Sequence, residues 1–103
     1  MLKAYIAGPY RADTWEGIEK NIQAAAVVAV KYWRMGYAVI CPHKNTSHFD
    51  GLAPDEIWLR GDIELLKCCD VIVMMTNWKE SKGAIEEHTI AKHNGLKVIY
   101  EDE

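Results

Sequence analysis

The segment 70–75 constrains the fold of this chain more than any other part of the sequence. It begins with Asp70 and continues with an uninterrupted apolar run, Val71-Ile72-Val73-Met74-Met75. Such a run is typical of a strand that is covered on both faces, as the strands of parallel sheets are. Three other strands are predicted at 2–7, 37–41 and 97–100. Helices are predicted from the capping pattern at 13–16 up to Gly36, from 54 to about 69, and over 83–93. The segment 43–53 is predicted to be a loop.

Strands and helices therefore alternate along the whole chain, and this order predicts the fold class. Parallel strands need crossover connections, which are right-handed and are usually helical. We expect an α/β protein: a three-layer α-β-α sandwich with a four-stranded parallel sheet, flavodoxin- or Rossmann-like, with the strand order about 2-1-3-4. At 103 residues the chain is expected to form a single domain over 1–103.

Charge and composition exclude several classes of partner. The formal net charge of −3 argues against binding to a nucleic-acid polymer, which normally needs a basic face. No apolar run approaches the roughly 20 residues of a membrane span, so no membrane partner is expected. Three cysteines, two of them adjacent, do not suggest a disulfide framework, and no signal peptide opens the chain. We therefore expect a cytoplasmic protein.

The carboxyl ends of the predicted strands locate the candidate binding site. Ligands of open parallel sheets bind beyond these ends, where the strand order reverses. The segments there are 8–11, 42–49 and 76–83, which are also the most polar and least helical parts of the chain. The candidate binding residues that they supply are Gly8, Pro9, Tyr10, Arg11, His43, Trp78, Ser81 and Gly83.

The turn that carries Ser81 and Gly83 precedes a helix with two adjacent carboxylates. A helix that begins after a short Ser/Gly turn presents free backbone N–H groups and a positive dipole end, which suits an anion such as phosphate. Only one of the neighbours Glu86 and Glu87 can face the cleft. We choose Glu87, because Ala84 and Ala91 bracket the face that packs on the sheet. The alternative is that these acids only stabilise the helix dipole.

Three further side chains could complete a reactive site. Asp62, within the helix predicted from residue 54, is either a solvated residue or a second carboxylate facing Glu87; glycosyl chemistry uses such pairs. Arg11 is either solvated or the partner of a phosphate. Tyr5 is either a core aromatic or the donor of a hydroxyl to a cleft carboxylate, and Tyr10 is a candidate rim aromatic.

The remaining histidine, cysteine and tryptophan residues give weaker signals. Cys41, His43 and His48 loosely suggest a metalloprotein, but their spacing matches no strong zinc pattern. We interpret His43 as a polar group lining the cleft and expect no metal and no cofactor, since dinucleotide and P-loop motifs are also missing from the sequence. Trp78 could stack on a base or pack in the core. Trp15, Trp33 and Trp58 are expected to be packing residues.

Several motifs together resemble the nucleoside 2-deoxyribosyltransferase superfamily, and specifically its small branch DUF4406. They are Tyr5-Ile6-Ala7-Gly8-Pro9-Tyr10-Arg11, Asn21-Ile22, Cys41-Pro42-His43, the segment 62–70, the segment 78–84, and Glu87 with Ala91. The resemblance implies that Glu87 is the nucleophile at the anomeric carbon and that Tyr5 orients it. It implies that Asp62 handles the proton transfer to the leaving base. It also implies phosphate contacts for Ser81 and Arg11, although Pro9 stands where the phosphate-binding relatives have a serine.

The function implied by this resemblance is N-glycosidic bond cleavage, or deoxyribosyl transfer, on a nucleoside 5′-monophosphate through a covalent glycosyl-enzyme. Protonation of the departing base predicts a raised pKa on one member of the carboxylate pair. The relatives are homo-oligomers, so a dimer or larger assembly is expected. They also carry a further C-terminal segment, and this difference favours the alternative of a nucleotide-binding module without chemistry.

Overall fold

The computed structural model of the protein describes residues 1–102; Glu103, the last residue of the predicted domain, lies outside them. The strands are β1 (Lys3–Ala7), β2 (Ala38–Ile40), β3 (Val71–Met74) and β4 (Lys97–Tyr100). The helices are α1 (Trp15–Arg34), α2 (Pro42–Asn45), α3 (Asp55–Lys67) and α4 (Lys82–His93), with a short 3₁₀ helix at Trp78–Glu80.

The four strands form one parallel sheet in the order β2-β1-β3-β4. In its register, Tyr5 of the central strand β1 lies opposite Ile40 of β2 and Ile72 of β3. Helices cover the sheet in a three-layer arrangement, so the predicted fold class and strand order are confirmed.

Alternation along β1 divides the core into two halves. Ala4 and Ile6 face the half that contains the buried residues of α1, whereas Tyr5 and Ala7 face the half that contains the buried residues of α3 and α4. Successive side chains of a strand point to opposite faces, so this division follows from the strand geometry. It directs the Tyr5 side chain toward α4.

The boundaries of α1 follow from capping chemistry. Thr14 is the N-cap, and its Oγ1 accepts a hydrogen bond of 3.0 Å from the backbone N–H of Gly17. Beyond the C-cap residue Met35, Gly36 has a φ of +98°, a left-handed conformation that glycine adopts without strain. The predicted start and stop of this helix are therefore confirmed.

The predicted loop over 43–53 is partly wrong, because its first residues belong to α2. Pro42 occupies the first turn of this helix, where proline's fixed φ suits helical geometry and its missing N–H costs nothing. The backbone N–H of Thr46 then donates to the Pro42 carbonyl at 3.2 Å.

Three large apolar side chains of the helices are largely exposed, including Trp15 and Trp33, which the sequence predicts as packing residues. Ile57 of α3 is 54 % exposed, while Leu66 is fully buried; they are nine positions apart, which places them on opposite faces of the helix. Trp33 of α1 is 54 % exposed because its neighbour Tyr32 takes the buried position. Trp15 is 63 % exposed and lies beside the His48 ring.

Within residues 1–102, none of the helices has both the length and the apolar character needed to cross a membrane.

Candidate active site

A cleft of about 670 Å³ opens at the carboxyl ends of the strands, where the sequence placed the candidate site. Of the predicted residues, those that line it are Gly8, Pro9, Tyr10, Arg11, His43, Asp62, Ser81, Gly83 and Glu87. Tyr5 is fully buried and contacts the site through the hydrogen bond from its hydroxyl to Glu87. The structure therefore brings nearly all of the predicted side chains to one place.

Glu87 owes its position to the packing of α4. Ala84 and Ala91 are buried against the sheet with 1 % and 0 % exposure, and Glu87 lies between them on the same helical face. Its carboxylate therefore points toward the end of the sheet. Glu86 is exposed but also lines the cleft, so the prediction that only one of the two acids faces the cleft is wrong. The Tyr5 hydroxyl, projecting from β1 on that side, donates a hydrogen bond to Glu87 Oε2.

The two predicted carboxylates both have raised pKa values. Burial raises the pKa of Glu87 to about 7, and repulsion from Asp62 and Glu86 adds to this, while the hydrogen bond from Tyr5 acts in the opposite direction. Burial alone raises the pKa of Asp62 to about 6. Near neutral pH the two carboxyls therefore hold about one proton between them, and their titrations are coupled.

The Tyr5 hydroxyl remains neutral and can only donate toward this pair. Its burial, followed by the negative charges of Glu87 and Asp62, raises its pKa far above the ordinary value. A neutral hydroxyl that donates to Glu87 stabilises the ionised form of that carboxylate. Tyr5 is therefore arranged to favour a negative charge on Glu87.

The start of α4 provides hydrogen-bond donors to the cleft. Ser81 is the N-cap, and its Oγ accepts a hydrogen bond of 3.1 Å from the backbone N–H of Ala84. Its hydroxyl proton stays available for an anion. The N–H groups of Lys82 and Gly83 have no acceptor within the helix, and the positive end of the helix dipole lies here.

The two cleft glycines, Gly8 and Gly83, differ in the space around them. A Cβ on Gly8 would lie 2.5 Å from the Sδ and 2.9 Å from the Cβ of Met75, so the packing of the loop after β1 requires glycine. A Cβ on Gly83 would meet only the Ser81 Oγ, at 3.9 Å. The space beside Gly83 is therefore left open toward the cleft and is not filled by the protein.

His43 fastens the loop after β1 to α2. Its Nε2 lies 2.7 Å from the Pro9 carbonyl oxygen, and since that oxygen can only accept, Nε2 carries the proton. Burial lowers the pKa of His43, so the ring is neutral at physiological pH. The histidine lines the cleft as predicted, and its Tyr10 neighbour packs edge-on at 5.6 Å between ring centroids.

The candidate metal ligands are engaged elsewhere. His43 bonds to Pro9, and His48 Nε2 pairs with Glu19 at 3.0 Å. Across residues 1–102 no group of three or more His, Cys, Asp or Glu side chains could hold a metal ion.

Trp78 is the predicted binding residue that the structure keeps away from the cleft. Its side chain is 8 % exposed and packs on His88, with ring centroids 4.4 Å apart, and on Tyr100 at 6.1 Å. The 3₁₀ helix that begins at Trp78 turns the ring toward α4 and β4. The base-stacking prediction is therefore wrong, and the packing alternative describes this residue.

The family comparison agrees with the extent of this domain. The family described as Domain of unknown function (DUF4406) matches residues 2–100. The chain belongs to this family. No curated protein matches the chain. The part that matches DUF4406 includes every residue that lines the cleft.

Sequence reasoning found Asp62 but missed the rest of the α3 wall of the DUF4406 cleft. Six residues of α3 line it, and five of them follow helical spacing: Asp55, Trp58, Leu59, Asp62 and Ile63. Counting back from Asp62 by three, four and seven residues would have found this face. The cleft also contains Arg60 and Lys82, and Lys82 could have been inferred from its place beside Ser81 at the start of α4.

Proposed function

We propose that this DUF4406 domain cleaves the N-glycosidic bond of a nucleoside 5′-monophosphate. The observation that carries the proposal is the Glu87 carboxylate, which is partly buried at the end of the sheet and accepts a hydrogen bond from the buried Tyr5. Asp62, the second carboxyl with a raised pKa, lines the same cleft. The resemblance to the nucleoside 2-deoxyribosyltransferase superfamily supports the same roles.

In the proposed reaction, a Glu87 carboxylate oxygen attacks C1′ of the sugar. The bond from C1′ to the base nitrogen breaks, its electron pair leaves with the base, and Asp62 supplies the proton that neutralises the base. The product of this step is a glycosyl ester on Glu87. Water activated by the ionised Asp62 then releases the sugar phosphate, or a second base takes the sugar in a transfer reaction.

The protonation state needed for this step exists near neutral pH. Attack requires an ionised Glu87, and departure of the base requires a protonated Asp62. Both groups titrate near neutral pH, so a form with one proton on the pair is populated there, and the reaction requires transfer of that proton to Asp62. The hydrogen bond that Tyr5 donates favours this transfer, because it stabilises the negative charge on Glu87.

The phosphate end of the substrate is assigned to the start of α4 and to the loop after β1. Six carboxylates line the cleft against three cationic side chains, so an anion must be held by local donors. Ser81 Oγ, the N–H groups of Lys82 and Gly83, and the Arg11 guanidinium supply them. These donors favour a nucleotide over a nucleoside as the substrate.

The experiment that tests the proposal is chromatographic detection of free base after incubation with a panel of nucleosides and nucleoside 5′-monophosphates, in ribose and deoxyribose forms. We expect base release from at least one monophosphate. Adding a second free base separates hydrolysis from transfer. A folded protein that binds monophosphates but releases no base from any of them would instead be a nucleotide-binding module without chemistry.

The proposal also includes self-association through α1, as the superfamily resemblance implies. Val27, Val30 and Trp33 are exposed on this helix, by 71 %, 49 % and 54 %. Glu16 lies in its first turn and Arg34 in its last, so antiparallel pairing of two copies brings opposite charges together. Sedimentation velocity should detect a dimer that Val27→Asp converts to a folded monomer; a wild-type monomer at all concentrations would contradict this.

A cytoplasmic setting is the last part of the proposal. Cys41, Cys68 and Cys69 are all free thiols, which suits a reducing compartment.

A further inference from the structure

Arg11, assigned above to the substrate phosphate, already has an anionic partner. Its guanidinium forms an ion pair with the Asp55 carboxylate. Arg11 belongs to the loop after β1 and Asp55 is the first residue of α3, and both residues line the cleft. The pair therefore joins two walls at the place where an anion is proposed to bind.

The ion pair between Arg11 and Asp55 is weak enough for another anion to replace Asp55. The two side chains are 68 % and 50 % exposed, and an exposed ion pair contributes only about 0–1 kcal/mol. A phosphate dianion offers the guanidinium a stronger partner than a carboxylate does, with more acceptor oxygens and more charge. Phosphate can therefore replace Asp55 at small cost.

Opening the pair does not release the loop, because other contacts hold it. The Tyr10 hydroxyl donates to Asp50 Oδ1 at 2.6 Å, and the Asn21 side-chain amide donates to the Tyr10 carbonyl at 3.0 Å. His43 holds the Pro9 carbonyl. The loop after β1 thus keeps its place while Arg11 changes partner.

We propose that Asp55 is an internal competitor for the substrate phosphate and so determines how strongly the cleft distinguishes nucleotides from nucleosides. This inference rests on the proposed function and adds a specificity residue to it. Without a ligand, Asp55 neutralises Arg11 and holds it at the cleft. A monophosphate must displace this carboxylate, whereas a nucleoside leaves the pair intact.

Titration of Asp55→Asn with inorganic phosphate and with a nucleoside 5′-monophosphate, followed by NMR chemical shifts, tests the inference. We expect roughly two- to fivefold tighter binding of both than in the wild type, the fold-change that corresponds to losing a competing exposed ion pair. Nucleoside affinity should not change. The matched control is Glu56→Gln, which removes the same charge from the next residue, an exposed one that does not line the cleft.

The double variant Arg11→Gln/Asp55→Asn separates competition at Arg11 from a general loss of negative charge. In the Arg11→Gln background, Asp55→Asn should have no effect on phosphate affinity. Unchanged or weaker phosphate binding by Asp55→Asn alone would overturn the inference, since Asp55 would then be neutral or would orient Arg11. The proposed function is judged separately by base release, so its failure is distinguishable from the failure of this inference.

Discussion

Glu87→Gln is expected to reduce base release by on the order of 10³-fold or more, because it replaces the attacking carboxylate with an amide that cannot form the glycosyl ester. The amide oxygen can still accept the hydrogen bond from Tyr5, so the fold around the site should persist. Rates are measured on the best substrate of the panel at pH 6.5. Loss of activity in Glu86→Gln with activity retained in Glu87→Gln would assign the nucleophile to the neighbouring residue instead.

The same substitution should stabilise the protein at alkaline pH. A folded-state pKa of about 7 for Glu87, above its ordinary value of 4.5, means that the folded state binds the proton more tightly than the unfolded state does. The contribution of Glu87 to the free energy of unfolding is therefore greatest below pH 4.5 and is lost as the pH rises through 7. The Gln variant avoids this loss, which amounts to at most about 3 kcal/mol above pH 8.

Thermal unfolding of both variants at pH 5 and pH 8 measures this effect. The melting temperature of Glu87→Gln relative to wild type should be higher at pH 8 than at pH 5. Glu86→Gln, with its exposed side chain, should show almost no difference between the two pH values. An equal shift at both pH values would mean that Glu87 ionises normally in the folded protein, and the raised pKa would be wrong.

The fold was predictable because its signals are local. The apolar run after Asp70 and the four-residue strand at Lys97–Tyr100 are visible without any knowledge of tertiary contacts. The order of the strands is the one that flavodoxin-like sheets share. Glu87 was predictable for the same reason, because the spacing of Ala84 and Ala91 identifies one face of one helix.

The contacts between separate segments were not predictable in this way. Arg11 and Asp55 are 44 residues apart in sequence, and Tyr10 and Asp50 are 40 apart. No periodic pattern connects such pairs, and their meeting depends on how the loop after β1 lies against α3. The base-stacking prediction for Trp78 was wrong for a similar reason, since the direction of its ring depends on the 3₁₀ helix that follows β3. Sequence reasoning therefore located the cleft and, with the family resemblance, the contact of Tyr5 with Glu87, but not the partners of Arg11 and Tyr10.

The pH dependence of catalysis should report the carboxylate pair directly. We expect a bell-shaped profile of kcat/KM with a maximum between pH 6 and 7. Below about pH 6 both Asp62 and Glu87 become protonated, so the nucleophile loses its charge. Above about pH 7 both are ionised, so no acid remains for the base. The profile is measured with a nucleoside as well as a monophosphate, because the substrate phosphate titrates near pH 6.

Two variants assign the limbs of this profile. Asp62→Asn should lower the rate by about 10²–10⁴-fold and remove the decline at high pH, because the remaining activity no longer depends on a protonated acid. Tyr5→Phe removes the hydrogen bond that lowers the pKa of Glu87, so the ionised nucleophile becomes rarer: the maximum rate should fall and the limb near pH 7 should move to higher pH. A profile that is flat between pH 5 and 8, or that Asp62→Asn leaves bell-shaped, would mean that the acid and base of this site lie outside the Asp62–Glu87 pair.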